Sequence, residues 1–200
     1  MTTDPETLAV YQARADEYAS CFTTEKPDRA LLEFMAALPT GACVLDLGCG
    51  PGGAAVKLMA AGVEVEAMDA TQAMVDIAAS HGVNARLGTF DDMNAVARYD
   101  GIWANFSLLH APRAALPRHI AAIRTALKPG GHFHIGMKLG DGEKRDHLGR
   151  KYTFVSREEI IELLATEGME PVWENSFVEK GMAGTADPGI TLLAKVSGND

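Results

Sequence analysis

Segments with the pattern of β-strands alternate with segments with the pattern of α-helices from about residue 42 to residue 138. Short apolar runs such as ACVLDL and VEVEAMD predict strands, whereas GAAVKLMAAG and TQAMVDIAASHG have the apolar spacing and the closing glycine of helices. Strands that alternate with helices form βαβ units, in which helices cover both faces of a mostly parallel sheet. The chain is therefore predicted to be an α/β protein with a doubly wound sheet.

The two ends of the chain depart from this alternation. Two amphipathic helices, about 5–22 and 28–38, precede the first predicted strand. Near the other end, PVWENSFVEK and ITLLAKV are predicted strands with only a loop between them. Consecutive strands joined without a helix most simply form an antiparallel hairpin. The sheet is thus expected to finish in a reversed strand.

Length, composition and charge narrow the class of protein. The 200 residues, 47% of them hydrophobic, suffice for a single domain over 1–200, which we divide into a helical cap (1–40) and a core (41–200). The N-terminus lacks the order of a signal peptide, and no apolar run approaches the ~20 residues of a membrane span, so we expect a cytoplasmic protein. A net charge of −9 disfavours nucleic acid as a partner. The three cysteines show no metal-binding spacing, so no metal is predicted.

The stretch VLDLGCGPGG ends the first predicted strand with four glycines in six residues. Because glycine costs ~0.5–1 kcal/mol inside a helix or strand, such a cluster indicates that a ligand approaches the backbone closely. The GxGxxG frame of dinucleotide-binding folds fits Gly48, Gly50 and Gly53, which alone is a weak match. A second frame, in which an acidic residue precedes GxGxG, fits Asp46 and takes Gly52 as its third glycine. The loop alone therefore leaves two classes of cofactor open.

The second frame resembles motif I of the class I S-adenosylmethionine-dependent methyltransferases, and the resemblance extends over about residues 8–196. It implies a seven-stranded sheet in the order 3-2-1-4-5-7-6 with strand 7 antiparallel, and N-terminal helices over the cofactor cleft. It implies S-adenosylmethionine as the cofactor and S-adenosylhomocysteine as its product. In this frame Asp46 orders the glycine turn or bonds the cofactor's ammonium through water, whereas the dinucleotide frame leaves Asp46 unexplained.

The same resemblance implies cofactor contacts at the ends of further strands. Asp69 closes the second strand, where a carboxylate can bond a ribose diol, although dinucleotide folds use the same device and a solvated acid is the alternative. Thr89 stands where the family often has an acid that contacts adenine, so Thr89 and Phe90 are expected to line the adenine pocket, with Asp91 as the fallback. Asn105 is expected at the methionine portion. The complete expected set is Tyr11, Tyr18, Asp46, Gly48, Cys49, Gly50, Gly52, Asp69, Ala70, Thr89, Phe90 and Asn105.

The N-terminal helix and the segment after the fourth strand supply the candidate catalytic residues. The pattern YxxRAxxY, with Tyr11 and Tyr18, resembles a family segment that folds over the cofactor, and its spacing also suits an amphipathic packing face. His110 falls beside the transfer site if the resemblance holds, although a lone histidine among apolar residues is often structural. A general base is needed only for a protonated nucleophile. The candidates are His110, Tyr18 and His147, and catalysis by positioning alone stays open.

The polar segment over 139–155, predicted as a loop, is the candidate substrate-binding segment. Its cations could recruit a carboxylate or phosphate, with arginine as a bidentate donor, or could pair with the acidic residues beside them. The expected substrate-binding residues are His110, Arg145, Arg150 and Tyr152.

The expected function is methyl transfer (EC 2.1.1) by in-line displacement to a small molecule, for which the cationic segment suggests an anion. The partner would be this small molecule, bound by a monomer or a homodimer. One alternative is a domain that binds the cofactor without turnover or needs a partner subunit. The other, an NAD-dependent oxidoreductase, would leave the N-terminal helices, Asp46 and the terminal hairpin unexplained.

Overall fold

A computed structural model describes residues 3–21, 26–180, 184 and 186–198. The helices are α1 (Pro5–Ala13), α2 (Ala15–Cys21), α3 (Arg29–Ala37), α4 (Gly53–Ala60), α5 (Gln72–Ser80), α6 (Leu116–Ala126) and α7 (Arg157–Thr166). The strands are β1 (Cys43–Leu47), β2 (Glu64–Asp69), β3 (Asn84–Leu87), β4 (Tyr99–Asn105), β5 (Leu127–Lys138), β6 (Glu143–Arg145), β7 (Lys151–Thr153), β8 (Met169–Lys180) and β9 (Ala186–Val196). Short 3₁₀ helices lie at Phe90–Asp92, Leu108–His110 and Arg113–Ala115.

Seven strands form one sheet in the order β3-β2-β1-β4-β5-β9-β8. Strands β1 to β5 are parallel, and β9 is antiparallel to both β5 and β8. This confirms the predicted sheet, including its reversed last strand. The segment 139–155 was expected to be a loop, and that expectation is wrong in part, because β6 and β7 form a separate antiparallel pair. Two polar strands of three residues each are too short to show a periodic pattern in the sequence.

Helices pack on both faces of the sheet because its buried strands are apolar on both sides. Successive side chains of a strand point to opposite faces. Val44 of β1 belongs to the hydrophobic cluster that includes Phe34 of α3 and Leu58 of α4. Its neighbour Leu45 belongs to the cluster that includes Ile120 of α6. The two clusters hold the sheet rigidly, so the loops at its carboxyl edge have fixed positions.

The first predicted helix, about 5–22, is two helices over its described part, and residue 22 lies outside that part. Arg14 separates them with φ −120° and ψ 25°. Leu8, Tyr11, Ala15 and Tyr18 keep the helical spacing of three and four across the break, so the sequence pattern does not reveal it. The break directs both helices over the carboxyl edge of the sheet. In the part of the chain that the structure describes, no helix combines the length and apolar character needed to cross a bilayer.

Candidate active site

A cavity of about 700 Å³, measured out to its solvent-facing mouth, lies across the carboxyl ends of β1 to β4 and beneath α1. Gly48 follows β1, Asp69 ends β2, Gly88 follows β3 and Asn105 ends β4, and all four line it. Doubly wound sheets bind ligands at this edge. Nine of the predicted cofactor residues line this cavity: Tyr11, Tyr18, Gly48, Gly50, Asp69, Ala70, Thr89, Phe90 and Asn105.

The glycine loop turns sharply at the end of β1 and needs residues without side chains. Gly48 has φ +77°, and a Cβ there would lie 2.3 Å from the Cβ of Ser107. Gly50 has φ +52°, and its missing Cβ would face the ring of Tyr18 at 3.6 Å. A left-handed backbone costs other residues roughly 1–2 kcal/mol. The loop is therefore built so that its backbone forms the cavity wall.

Three other predicted cofactor residues lie outside this cavity. Asp46 and Cys49 line an adjoining hollow, which shares four lining residues with the cavity. Burial raises the pKa of the Cys49 thiol. Gly52 lines neither space, and a Cβ there would lie 3.1 Å from the Cβ of Ala78. Gly52 is thus required where the loop packs against α5, without a ligand.

Asp69 is a fixed acceptor at the cavity wall. Its Oδ2 accepts a hydrogen bond from the Gly50 amide at 2.9 Å, and its Oδ1 accepts from the Thr71 amide and hydroxyl, both at 2.9 Å. Burial nevertheless raises the pKa of this carboxyl above its usual range. These bonds join the glycine loop to the end of β2 and hold the carboxylate where a ribose-binding acid was predicted.

Asp46 is a buried carboxyl group that is only partly hydrogen-bonded. It is 2% exposed, and among the described residues its Oδ2 has no hydrogen-bond partner. Burial first, and then the charge of Asp69, raise the pKa of Asp46 to about 7, against a hydrogen bond from the Ala55 amide. Because an unpaired buried carboxylate is costly, a cationic group of a ligand beside it would be stabilised. The residues present therefore fit a nucleoside cofactor that carries positive charge.

The raised pKa of Asp46 predicts how stability depends on pH. The folded-state pKa, about 7, lies above the unfolded value of 3.8. The stabilising contribution is therefore complete below about pH 4 and is lost as the pH rises through about 7. Between about pH 5 and 8, the Tm of the ligand-free wild type should fall relative to the Tm of Asp46→Asn. The fall should be at least ~2–4 °C, which is the change in Tm that 1 kcal/mol produces in a chain of this size. Thermal unfolding by circular dichroism measures this, with Asp76→Asn as a control, because the Asp76 carboxylate is exposed. Parallel Tm curves for wild type and Asp46→Asn would contradict it.

His110 lies at the β4 end of the cavity and contacts two neighbours. Its Nδ1 is 2.7 Å from the carbonyl oxygen of Lys151, and its Nε2 is 2.8 Å from the hydroxyl of Tyr11. Since a carbonyl oxygen only accepts, Nδ1 carries the proton and Nε2 accepts from Tyr11. Burial, aided by the charges of Arg150 and Lys138, lowers the pKa of His110 to about 4. The imidazole is therefore neutral at pH 7.

Arg150 and Tyr152 lie next to Tyr11 and do not line the cavity. Arg150 is 3% exposed, forms an ion pair with Asp146 at 2.8 Å and donates to the Tyr11 hydroxyl at 3.2 Å. Its guanidinium also lies over the rings of Tyr11 and Tyr152, at 5.5 and 5.3 Å. These two predicted substrate residues act on the cavity through Tyr11.

Arg145 and His147 also lie away from the cavity. Arg145 donates two hydrogen bonds to the carboxylate of Asp4, at 2.9 and 3.0 Å, which holds the β6–β7 pair against α1. This pairing lowers the pKa of Asp4. His147 is exposed and lines no described part of the cavity. Arg145, Arg150 and Lys151 of this segment thus pair with carboxylates of the same chain.

Several residues at the β4 end were missed by the sequence predictions. Phe106 lines the cavity with φ +54°, and Ser107 lines it while donating to the carbonyl oxygen of Leu47 at 2.6 Å. Phe106 is the last residue of the fourth predicted strand, DGIWANF, and Ser107 follows it directly, so the rule that strand ends bind ligands could have found them. His134 lies 3.0 Å from Oδ1 of Asn105. Only the pairing of β4 with β5 brings these two together.

Comparison with known proteins finds similarity over part of the chain. Residues 44–131 match a family model described as a methyltransferase domain. The chain is 30% identical over 139 residues to hemagglutinin 1 of Eikenella corrodens, with 66% of this chain and 45% of that protein covered. It is 30% identical over 142 residues to the ubiquinone biosynthesis O-methyltransferase of Xanthomonas axonopodis pv. citri (strain 306), with 64% and 59% covered. The chain spans about half the length of the curated relatives it matches.

A solved structure shares the fold over nearly the whole chain. It is the 1,6-didemethyltoxoflavin-N1-methyltransferase of Burkholderia thailandensis with bound 1,6-didemethyltoxoflavin and S-adenosylhomocysteine. The two chains superpose with a TM-score of 0.71 over 94% of this chain and 88% of the other, at 24% identity. With the sheet order, this superposition shows that the chain has the Rossmann-like fold of that methyltransferase, and residues 44–131 match the methyltransferase domain model.

Proposed function

We propose that this domain transfers the methyl group of S-adenosylmethionine to a small acceptor molecule. The cofactor would supply a methyl group bonded to a sulfonium sulfur, and the thioether that remains after the transfer is the leaving group. One observation carries the proposal: the glycine loop, Asp69 and the partly bonded Asp46 meet at one edge of the sheet. Residues of α1 line the cavity there on one side. Residues 41–200 would form the methyltransferase core and 1–40 its cap.

The cofactor residues follow the strand order across the cavity. Thr89 and Phe90, after β3, would line the adenine end, and Asp69, at the end of β2, would accept from the ribose hydroxyls. Asp92 holds Thr89 in place by accepting from its amide at 2.7 Å and its hydroxyl at 2.9 Å. Asp91, the alternative adenine contact, is paired with Arg118 and does not line the cavity. Thr89 and Phe90 are therefore the better supported contacts.

The methionine portion would lie between the glycine loop and β4. Gly48 and Gly50 would let it approach the backbone, and the Asp46 carboxylate would attract its ammonium from the adjoining hollow. Asn105 lines both spaces, and its Oδ1 accepts from His134, which fixes the side-chain orientation if Nε2 carries the proton. These contacts leave the space beside Phe106, Tyr11 and His110 for the acceptor.

At that end the chain would act mainly by positioning and by excluding water. Tyr11 and Tyr18 meet edge to face with ring centroids 5.4 Å apart, and both close the cavity from the side of α1 and α2. Orientation of two reactants in a closed cavity supplies up to ~7–11 kcal/mol of a reaction barrier. We assign His110 a positioning role, because its neutral ring holds the hydroxyl of Tyr11.

Calorimetric titration of ligand-stripped protein tests the proposal. S-adenosylmethionine and S-adenosylhomocysteine should bind at micromolar concentrations, and NAD should not. Product formation is then measured by mass spectrometry with small acceptors. Binding of NAD alone would overturn the proposal and would favour the dinucleotide frame of the glycine loop.

A domain that binds the cofactor without turnover is the second candidate. Two observations favour it: one relative at 30% identity is named hemagglutinin 1, and the chain spans about half the length of its relatives. Such a domain would bind both S-adenosylmethionine and S-adenosylhomocysteine. It would yield no methylated product at all, or none until a partner subunit is added. Turnover by the purified chain alone would exclude it.

A further inference from the structure

The described residues that line the acceptor end carry no fixed positive charge. The cavity has no lysine or arginine among them, and its carboxylate, Asp69, lies at the ribose end. The adjoining hollow is lined by Lys57 as well as by Asp28 and Asp46. The nearby cations are paired, Arg150 with Asp146 at 2.8 Å and Lys138 with Asp187 at 2.6 Å. A carboxylate or phosphate would therefore find no free cation at this end among the described residues. The anionic acceptor expected from the sequence is therefore disfavoured.

The polar groups at this end are poorly placed to remove a proton. Both nitrogens of His110 are occupied, one by Lys151 and the other by the Tyr11 hydroxyl. The Thr7 hydroxyl donates to Asp4 at 2.7 Å and accepts from the Lys151 amide at 2.8 Å. Thr3 has a buried hydroxyl without a partner among the described residues, and a hydroxyl there donates a hydrogen bond more readily than it accepts a proton. An alcohol or phenol must lose a proton when it is methylated, so it would find no suitable base here.

Aromatic side chains form part of the cavity wall. Tyr11, Tyr18 and Phe106 all line the cavity, and the ring of Phe106 packs edge-on against Phe177 with centroids 6.0 Å apart. The face of an aromatic ring stabilises a cation by about 0.5–2 kcal/mol, more when water is excluded. These rings therefore favour a positively charged group at the acceptor end.

We propose that the acceptor atom is an uncharged nitrogen of a heteroaromatic ring, and this inference rests on the proposed methyl transfer. In such a methylation the nitrogen lone pair forms the new N–C bond, while the electron pair of the broken C–S bond stays on sulfur. The positive charge passes from sulfur to nitrogen, and no proton moves. The aromatic side chains thus keep a positive charge beside them throughout.

Matched two-ring probes test the inference by binding as well as by turnover. Calorimetry on the S-adenosylhomocysteine complex compares quinoline, N-methylquinolinium, 1-naphthol and 1-naphthoate. We expect quinoline and N-methylquinolinium to bind at least about tenfold more tightly than naphthoate, which is about 1.4 kcal/mol. With S-adenosylmethionine, mass spectrometry should find the methyl group on quinoline alone.

A pair of variants tests the aromatic wall. Phe106→Leu should weaken N-methylquinolinium binding about two- to fivefold, the equivalent of 0.5–1 kcal/mol, and leave the affinity for S-adenosylhomocysteine unchanged. Phe154→Leu is the control, because Phe154 does not line the cavity, and it should change neither affinity.

The outcomes separate the inference from the function on which it rests. Equal or tighter binding of naphthoate, or methylation of naphthol or naphthoate in place of quinoline, would overturn the nitrogen acceptor and leave methyl transfer standing. Failure to bind S-adenosylmethionine at all would overturn methyl transfer itself. Binding of the cofactor with no preference among the four probes would overturn the nitrogen acceptor.

Discussion

Gly50→Val is expected to lower the affinity for S-adenosylmethionine about 100-fold and to leave a folded protein. Gly50 has φ +52°, which costs a residue with a side chain roughly 1–2 kcal/mol, and the valine methyls would enter the cavity. Overpacking adds about 1–3 kcal/mol, and 2.7 kcal/mol corresponds to 100-fold. The new Cβ would meet only the ring of Tyr18, at 3.6 Å, so the core stays intact. Calorimetry gives the affinity, and circular dichroism checks the fold.

Gly53→Val is the matched control three residues later. A Cβ at Gly53 would have no atom within 4 Å, and Gly53 is the first residue of α4. The control should therefore lose far less affinity for S-adenosylmethionine than Gly50→Val does, although Gly53 also lines the adjoining hollow. This pair also distinguishes the two glycine frames, because the dinucleotide frame uses Gly53 as its third glycine. Wild-type affinity in Gly50→Val, or a loss confined to Gly53→Val, would refute the placement of the cofactor.

Asp69→Asn is expected to lower the affinity for S-adenosylmethionine about 10- to 150-fold. The carboxylate accepts from Gly50 on one oxygen and from Thr71 on the other. An asparagine has one acceptor oxygen, so its NH₂ group would face either the Gly50 amide or Thr71, both donors. A hydrogen bond to a charged group is worth about 1.5–3 kcal/mol, and the ribose contact would weaken as the loop moves. Calorimetry and the Tm increase caused by S-adenosylhomocysteine measure the loss.

Asp76→Asn provides the comparison for this change. Asp76 lies on α5, is exposed and bonds only locally to Gln72 at 2.7 Å. It should retain wild-type affinity, which would show that the loss in Asp69→Asn does not come from the change in net charge. If Asp69→Asn bound the cofactor as tightly as Asp76→Asn does, Asp69 would have no part in the site.

The core of the fold and one side of the site could be predicted from local sequence patterns. Strand and helix periodicity requires only near neighbours, and the family resemblance supplied the strand order that β9 and β8 confirm. Gly48, Gly50 and Asp69 could be found because each follows or ends a predicted strand, and strand ends of a parallel sheet meet at one edge. The break at Arg14 and the β6–β7 pair were missed, since neither changes the apolar spacing.

The side of the site near α1, His110 and the β6–β7 pair depends on contacts between residues far apart in the chain. Arg145 and Arg150 were predicted to bind substrate, but Arg145 pairs with Asp4, 141 positions away, and Arg150 donates to the Tyr11 hydroxyl across 139 positions. His110 meets Tyr11 across 99 positions, which makes it a neutral partner of a tyrosine hydroxyl. The sequence by itself determined the sheet, the glycine loop and the acid at the end of β2, because backbone conformation and strand order are local or shared by the family. Only the tertiary structure decided which charges are neutralised, because an ion pair depends on the distance between side chains and not on their spacing in sequence.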